Sequence, residues 1–265
     1  MSSVQEEIVF FEAVYHTGSI PPPYNYEYRI QLSFAGKGEI KTNYELNYRF
    51  RDELTEQEIT EEGFTADDDF AWNGKIPGLW RREVLNLLSK TSWPKDQKTA
   101  SLTEPYIQLF YKTKDGETFK AVPAETELWD YFLQELVQGV YELAEKERYL
   151  EVRYLELGPG KQKEEILLRP IFHLRKAQVE KYKENAGGKK ENKKYDMSWE
   201  NVKPVLRQVY IPDYDYEKAS PKTPSKPGQY LQPGDGFWFK LGQGATNPDP
   251  ERDAIKDMIE TLKSL

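Results

Sequence analysis

The chain has 265 residues, a mass of 31.0 kDa and a formal net charge of −8. It contains no cysteine and only two histidines, which excludes disulfide scaffolds, thiolate nucleophiles and zinc–cysteine sites. Its acidic balance argues against a general nucleic-acid binder, because such binding depends on clustered positive charge. We therefore predict no cofactor and no metal site.

The beginning of the sequence does not have the pattern of a secretory signal. Glu6 and Glu7 occupy the place of a basic region, and the apolar run of residues 8–11 ends at Glu12. No stretch reaches the roughly 18 apolar residues of a membrane span. We expect a soluble, cytoplasmic protein that does not contact membranes, and its 14% aromatic content favours a folded chain.

The clearest structural pattern is a hairpin over residues 24–50. Every second residue from Tyr24 to Phe34 is apolar, and the alternation resumes at residues 40–50 after a glycine-containing turn. This period of two predicts an antiparallel sheet with one buried and one solvated face. We interpret the tyrosines of these rows as core residues. The alternative is an aromatic platform for sugars or bases.

Further elements follow along the chain. Residues 52–70 hold nine acids and no base, which predicts a loose, solvated loop. Two further hairpins are predicted at residues 107–121 and 150–174, and Pro170 should lie on an edge strand or at a bulge of the second one. A helix should follow Pro77, and a basic helix should cover residues 175–185. Two more helices are predicted, one capped by Asn201 with Pro204 in its first turn and a final one capped by Asp249.

These elements predict an α+β fold. Antiparallel hairpins form one or two sheets, and helices at about residues 125–146 and 250–264 pack on their apolar faces. We expect two domains, residues 1–147 and 148–265, the second with a proline-rich arm at residues 211–234. A single fused domain is the alternative, because the link between them is short. The hairpins of residues 26–50 and 149–173 share a pattern, so an internal repeat is a further hypothesis.

No residue constellation in the sequence predicts an enzyme of a particular class. His16 follows a strand and His173 lies on the polar side of another, so we interpret both as structural. Asp67, Asp68 and Asp69 are consecutive, whereas calcium loops place their oxygens at alternate positions. The leading hypothesis is therefore a non-enzymatic binding or interaction protein whose partner is a protein or a small molecule.

The proline-rich arm is the place where we expect a ligand, because long ordered loops often carry function. The predicted ligand-binding residues are Asp213, Asp215, Tyr216, Asp235 and Trp238. The alternative is a carboxylate-dependent hydrolase at the same place, since two acids a few ångströms apart would suffice. A third hypothesis, nucleic-acid contact through the basic tract of residues 175–194, is unfavoured because no aromatic row accompanies it.

Overall fold

The structure, a computed structural model, describes residues 8–34, 38–94, 103–249 and 251–265. Those residues form an α+β fold with two six-stranded antiparallel sheets, a small two-stranded sheet and five α-helices. The chain divides into two compact units, Met1–Lys146 and Glu147–Leu265, and each has its own hydrophobic core. Across the described ranges, no helix is both long and apolar enough to cross a bilayer.

The elements of the first unit are β1 (Ile8–His16), β2 (Tyr26–Ser33), β3 (Ile40–Tyr48), α1 (Glu56–Glu61), β4 (Phe70–Ile76), α2 (Leu79–Lys90), β5 (Tyr106–Thr113), β6 (Thr118–Ala121) and α3 (Thr126–Leu143). Its strands form a sheet with the order β4-β3-β2-β1-β5-β6. Helices α2 and α3 pack their apolar rows, which include Trp80 and Trp129, against one face of this sheet.

The hairpin predicted at residues 24–50 is present as β2 and β3. Tyr28 pairs with Leu46 and Ile30 pairs with Tyr44, and all four side chains are buried on the helix-covered face. Tyr24 is 43% exposed and lies before β2, so the core row is shorter than predicted. The predicted turn covers residues 35–38, of which residues 35–37 lie outside the described part of the chain.

The acidic segment was predicted as a loose loop, and this prediction is wrong. It contains a 3-10 turn at Arg51–Glu53 and α1, whose N-cap Thr55 forms a capping box with Glu58. Arg51 is buried and binds Asp68, with 2.7 Å between its guanidinium nitrogen and the carboxylate oxygen. The acids are therefore held by local capping and by one buried cation, which a count of charges does not reveal.

The elements of the second unit are β7 (Val152–Leu157), β8 (Lys163–Ile171), β9 (Lys176–Glu184), β10 (Lys190–Ser198), α4 (Trp199–Val209), β11 (Asp213–Tyr214), β12 (Gly228–Gln232), β13 (Phe239–Lys240), β14 (Ala245–Thr246) and α5 (Ala254–Ser264). Its main sheet has the order β10-β9-β8-β7-β12-β13, and β11 pairs separately with β14. Helices α4 and α5 contribute Trp199, Val205 and Met258 to the core on one face of the main sheet.

The two units share one topology. In each, four consecutive strands form a meander, a helix follows, two further strands add beside the first strand, and a helix ends the unit. Strands β1–β4 thus correspond to β7–β10, and strands β5 and β6 correspond to β12 and β13. Helix α2 corresponds to α4, and helix α3 corresponds to α5. The repeat hypothesis paired β2–β3 with β7–β8, which is one strand out of register with this correspondence.

Residues 175–185 form β9 rather than the predicted helix. Ala177 and Val179 point into the core, while Gln178 between them and Lys181 and Lys183 after them are at least partly exposed. The segment pairs with β8 on one side and with β10 on the other. Pairing on both sides satisfies the backbone of a strand, and this outweighs the helical preference of its charged residues.

Three boundary predictions involving proline or capping also differ from the structure. Pro170 lies in β8, which is an inner strand of the sheet. The pairing of β8 with β7 ends at Leu168, so Pro170 faces a partner only on the β9 side, and its missing backbone N–H costs no hydrogen bond to β7. α4 begins at Trp199 after Ser198, which places Pro204 inside the helix. α5 is capped by Asp253 rather than Asp249.

Candidate functional site

The proline-rich arm of the second unit is an ordered segment that runs from the end of α4 to β12. Antiparallel pairing of β11 with β14 fixes its beginning. A 3-10 turn at Tyr216–Lys218 follows, and a β-bridge between Ser220 and Trp238 fixes its middle. The five prolines of residues 211–234 therefore belong to a segment whose backbone is anchored at several points.

Tyr216 and Asp235, two of the predicted ligand-binding residues, contact each other. The Tyr216 hydroxyl donates to Asp235 Oδ2 at 2.7 Å, and Asp235 Oδ1 accepts the Phe237 backbone N–H at 2.9 Å. The Tyr216 ring also meets Phe237 and the buried Phe239 edge-on, with centroids 5.9 and 5.2 Å away. Tyr216 is nevertheless 60% exposed, so its ring is presented to solvent in a fixed orientation.

Two further tyrosines lie beside this pair. The Tyr210 hydroxyl donates to the Pro233 carbonyl at 3.1 Å, and the Tyr214 hydroxyl donates to the Val209 carbonyl. Burial of these hydroxyls and the nearby charge of Asp235 raise the pKa of both tyrosines. The pKa of Tyr216 is raised chiefly by its hydrogen bond to Asp235, so all three hydroxyls remain neutral donors at neutral pH.

These groups create an exposed surface that we call the aromatic patch. Its large apolar side chains are exposed to water, although the hydroxyl groups of its two tyrosines are hydrogen-bonded. The patch consists of Tyr210, Ile211, Tyr216 and Phe237, together with Asp235.

Gly234 allows the chain to turn beside the aromatic patch. Its φ of +125° is a conformation that L side chains rarely adopt. A Cβ at this position would lie 2.2 Å from Leu150 Cδ1. The geometry that brings Asp235 to Tyr216 thus depends on a residue without a side chain.

Asp213 and Asp215 lie on the arm but do not join the Tyr216–Asp235 pair through any described hydrogen bond. Asp213 is exposed on β11, where its backbone pairs with Thr246. Asp215 caps the following turn by accepting the Glu217 N–H at 3.1 Å, and it forms an ion pair with Lys218. The hydrogen bond from Lys218 holds the pKa of Asp215 below its usual value, which is unsuited to a general acid.

Trp238, the fifth predicted residue, lies in the interior of the second unit. It is 4% exposed and packs with Leu155 and Tyr230. Because successive residues point to opposite sides of a strand, Trp238 and Phe239 face opposite sides of the sheet. The position of Trp238 fits a role in anchoring the arm, whereas the other four predicted residues are accessible to a ligand, and of these Tyr216 and Asp235 contact each other.

A second candidate surface, which the sequence analysis did not predict, is concave and lies on the sheet of the first unit. It is a groove of about 420 Å³ on the face opposite α2 and α3. The polar positions between the apolar rows of β1–β3 were a signal for it, but they were interpreted only as a solvated face. The groove is lined by Glu12, Val14, Glu27, Tyr28, Arg29, Glu45, Asn47, Tyr106, Gln108 and Lys120.

Neither surface gathers the ligands of a metal site. In the part of the chain that the structure describes, no group of three His, Asp or Glu side chains is arranged to hold a metal ion. Comparisons with protein-family models, curated proteins and solved structures found no match to this chain.

Proposed function

We propose that this protein is a non-enzymatic binding protein, and that the aromatic patch of the second unit is its contact surface. The proposal depends on one observation, namely that the ring of Tyr216 is mostly exposed to solvent but is fixed by contacts with Asp235, Phe237 and Phe239. An aromatic side chain that is already immobilised loses little entropy on binding. Tyrosine is also enriched among the residues that dominate binding energy at interfaces.

The charges around the patch favour a cationic partner, namely a lysine- or arginine-containing segment of another protein. Three acids occupy the arm beside Tyr216, and Asp235 lies under its hydroxyl. Lys218 is the single base of residues 210–218 and is paired with Asp215, while the other bases of the arm, Lys222 and Lys226, follow further along the chain. A guanidinium or ammonium group could therefore stack on exposed rings and interact with carboxylates at the same time.

The hydrolase alternative has less support at this place. A carboxylate-dependent hydrolase needs one carboxyl that keeps its proton near neutral pH. At the arm, Asp215 has the opposite property, because Lys218 lowers its pKa.

The nucleic-acid hypothesis is also weakened by the positions of the basic side chains. The basic tract forms β9 and β10, and three of its lysines are paired with acids. These pairs are Lys176–Asp196, Lys183–Glu164 and Lys194–Glu180, with N–O distances of 2.6–2.9 Å. Paired lysines have less charge to offer to phosphates.

The proposal is tested by titrating the whole protein with hexa-arginine and measuring binding by calorimetry. We expect the substitution Tyr216→Ser to weaken binding by about tenfold, because it removes the ring and releases Asp235. The matched control is Tyr24→Ser in the first unit. Tyr24 is also exposed, donates to a carboxylate (Glu62) and meets a phenylalanine ring edge-on.

The control also separates the patch from simple charge attraction, since the acidic segment of residues 52–70 attracts cations as well. Equal affinities of the two variants would overturn the proposal. So would hexa-arginine binding that disappears only when the acids of residues 52–70 are neutralised. Turnover of a glycoside or ester substrate that is lost in Asp235→Asn would support the hydrolase alternative instead.

A further inference from the structure

We propose that the groove on the first unit is a binding site for a neutral, polyhydroxylated ligand of the saccharide class. This inference concerns a different surface from the aromatic patch and does not depend on it. It rests on three features of the groove, namely its position on the sheet, the chemistry of its lining and the contrast with the same face of the second unit.

Strand pairing places the lining residues in cross-strand rows. One row contains Glu45, Arg29, Val14 and Gln108, in the order β3, β2, β1 and β5. With about 4.8 Å between neighbouring strands, this row spans roughly 14 Å. The neighbouring rows are Asn47, Glu27, His16 and Tyr106 on one side, and Asn43, Gln31, Glu12 and Phe110 on the other.

The three glutamates of the groove are held in place by hydrogen bonds from side chains that lie beside its lining. Gln31 donates to Glu12 at 2.6 Å, and Asn43 donates to Glu45 at 3.1 Å. Glu27 accepts from Arg49 at 2.6 Å. Each of these carboxylates keeps further acceptor capacity for a ligand hydroxyl, because a carboxylate offers about four lone-pair sites.

Amide groups at two ends of the groove complement these acceptors. Asn47 and Gln108 both line the groove, and no described residue forms a hydrogen bond with either side chain. An amide both donates and accepts, as a sugar hydroxyl does. The groove therefore presents acceptors and dual-function groups in one plane, which matches the ring of hydroxyls around a saccharide.

Tyr106 supplies an aromatic surface at the end of the groove. Its ring is stacked on the ring of His16, with centroids 5.6 Å apart and an angle of 11° between the planes. His16 is 4% exposed, and its Nδ1 accepts the Gly18 N–H at 2.8 Å. This buried imidazole holds Tyr106 in position, and a fixed ring can pack against the C–H face of a sugar.

The charge balance argues against the other common ligands. Three glutamates and two basic residues, Arg29 and Lys120, line the groove, and Arg49 beside it is paired with Glu27, so a phosphorylated ligand would meet no excess of positive charge. A purely apolar ligand would leave this polar lining without partners. A neutral ligand with many hydroxyls avoids both costs.

The corresponding face of the second unit is used differently. There Leu155, Tyr230 and Trp238 form a small apolar cluster beneath the arm. The charges beside them are paired with one another, as in Arg153–Glu151 and Arg169–Glu151. With the same topology, this face of the sheet thus has an apolar cluster in the second unit and a polar groove with two available amides in the first unit.

The test is NMR on the whole protein, with saturation transfer to detect binding and ¹H–¹⁵N spectra to follow side-chain amides, using maltotriose, cellotriose, N-acetylated chitotriose and mannotriose, with ATP and trilysine as charged comparators. We expect at least one trisaccharide to bind and to shift the side-chain amide signals of Asn47 and Gln108. Replacing either amide with alanine should weaken binding by about tenfold, because a ligand hydroxyl is left unpaired.

The matched control is Asn73→Ala. Asn73 pairs with Asn43 on the same face, but it lies on β4 outside the groove lining. The proposal is overturned if no trisaccharide binds at millimolar concentration, or if Asn47→Ala and Gln108→Ala bind as well as Asn73→Ala. Binding of ATP or trilysine in place of a sugar would also overturn it. Tyr216→Ser should leave sugar binding unchanged, which keeps this outcome separate from that of the patch.

Discussion

Replacing Arg51 with alanine should release the acidic segment from the first unit. The Arg51 guanidinium lies over the Tyr48 ring at 3.7 Å and near the Phe64 ring at 4.8 Å. It also bonds Asp68 and the Thr65 carbonyl, each at 2.7 Å. One side chain therefore connects β3, the 3-10 turn and the chain that leads into β4.

We expect the substitution to cost the first unit about 3 kcal/mol. Loss of one partner from a buried ion pair typically costs about 3–5 kcal/mol. The low end applies here, because the Asp68 side chain is 26% exposed and can regain water. The lost cation–π contacts, about 1 kcal/mol each, are already part of that effect and are not added to it.

Hydrogen exchange measured by mass spectrometry is the suitable assay, because it resolves residues 51–69 from the rest of the first unit. The Thr65 amide, which donates to Asp68 Oδ2 at 2.8 Å, should lose protection first. The control is Arg82→Ala. That guanidinium is 78% exposed and pairs with the adjacent Glu83, so we expect a change of at most about 1 kcal/mol.

The pH dependence provides a second check on the same contact. Although burial raises it, hydrogen bonds from Thr65 and Arg51 hold the pKa of Asp68 below its usual 3.8. The stability from this carboxylate is therefore complete above pH 3.8 and is lost as the pH falls through the folded-state pKa. The difference between wild type and Arg51→Ala should shrink in that acid range. A cost below about 1 kcal/mol at neutral pH would refute the reasoning, since an exposed pair contributes that much.

Two further predictions concern α5 and His16. Asp253→Ala should destabilise the second unit by about 1 kcal/mol in urea unfolding, because Asp253 accepts the Lys256 N–H at 3.0 Å. Asp249→Ala should cost less, and the reverse order would contradict the observed cap. Burial, followed by the nearby charge of Arg49, lowers the pKa of His16 below 6.5. The first unit should therefore lose stability as the pH falls below 6.5, and His16→Gln should abolish that slope. An NMR titration midpoint above 6.5 would contradict this expectation.

Some elements could be predicted because their pattern is local. The strands of the hairpin at residues 24–50 have a period of two, and α3 has two rows of apolar residues at helical spacing. Burial of one face requires such a period whatever the partner is, so the pattern is visible before the partner is known. The α+β fold class follows from these elements and is confirmed.

The candidate sites were predictable only in part. Tyr216 lies on the proline-rich arm and Asp235 directly follows it, which is why both could be predicted, and the structure joins them by a hydrogen bond. Trp238 belonged to the same stretch, but strand geometry turns it toward Leu155 and Tyr230. The groove was missed because Asn47, Val14 and Gln108 come from three strands that are separate in the sequence.

What the sequence determined by itself is the set of segments that must bury one side, because alternation and helical spacing are properties of neighbouring residues. Only the tertiary structure decided that residues 176–184 form a strand, since pairing with β8 and β10 satisfies a backbone that could otherwise have become helical. It alone also decided which polar side chains meet, because the order of strands in a sheet brings together residues whose separation along the chain carries no local signal.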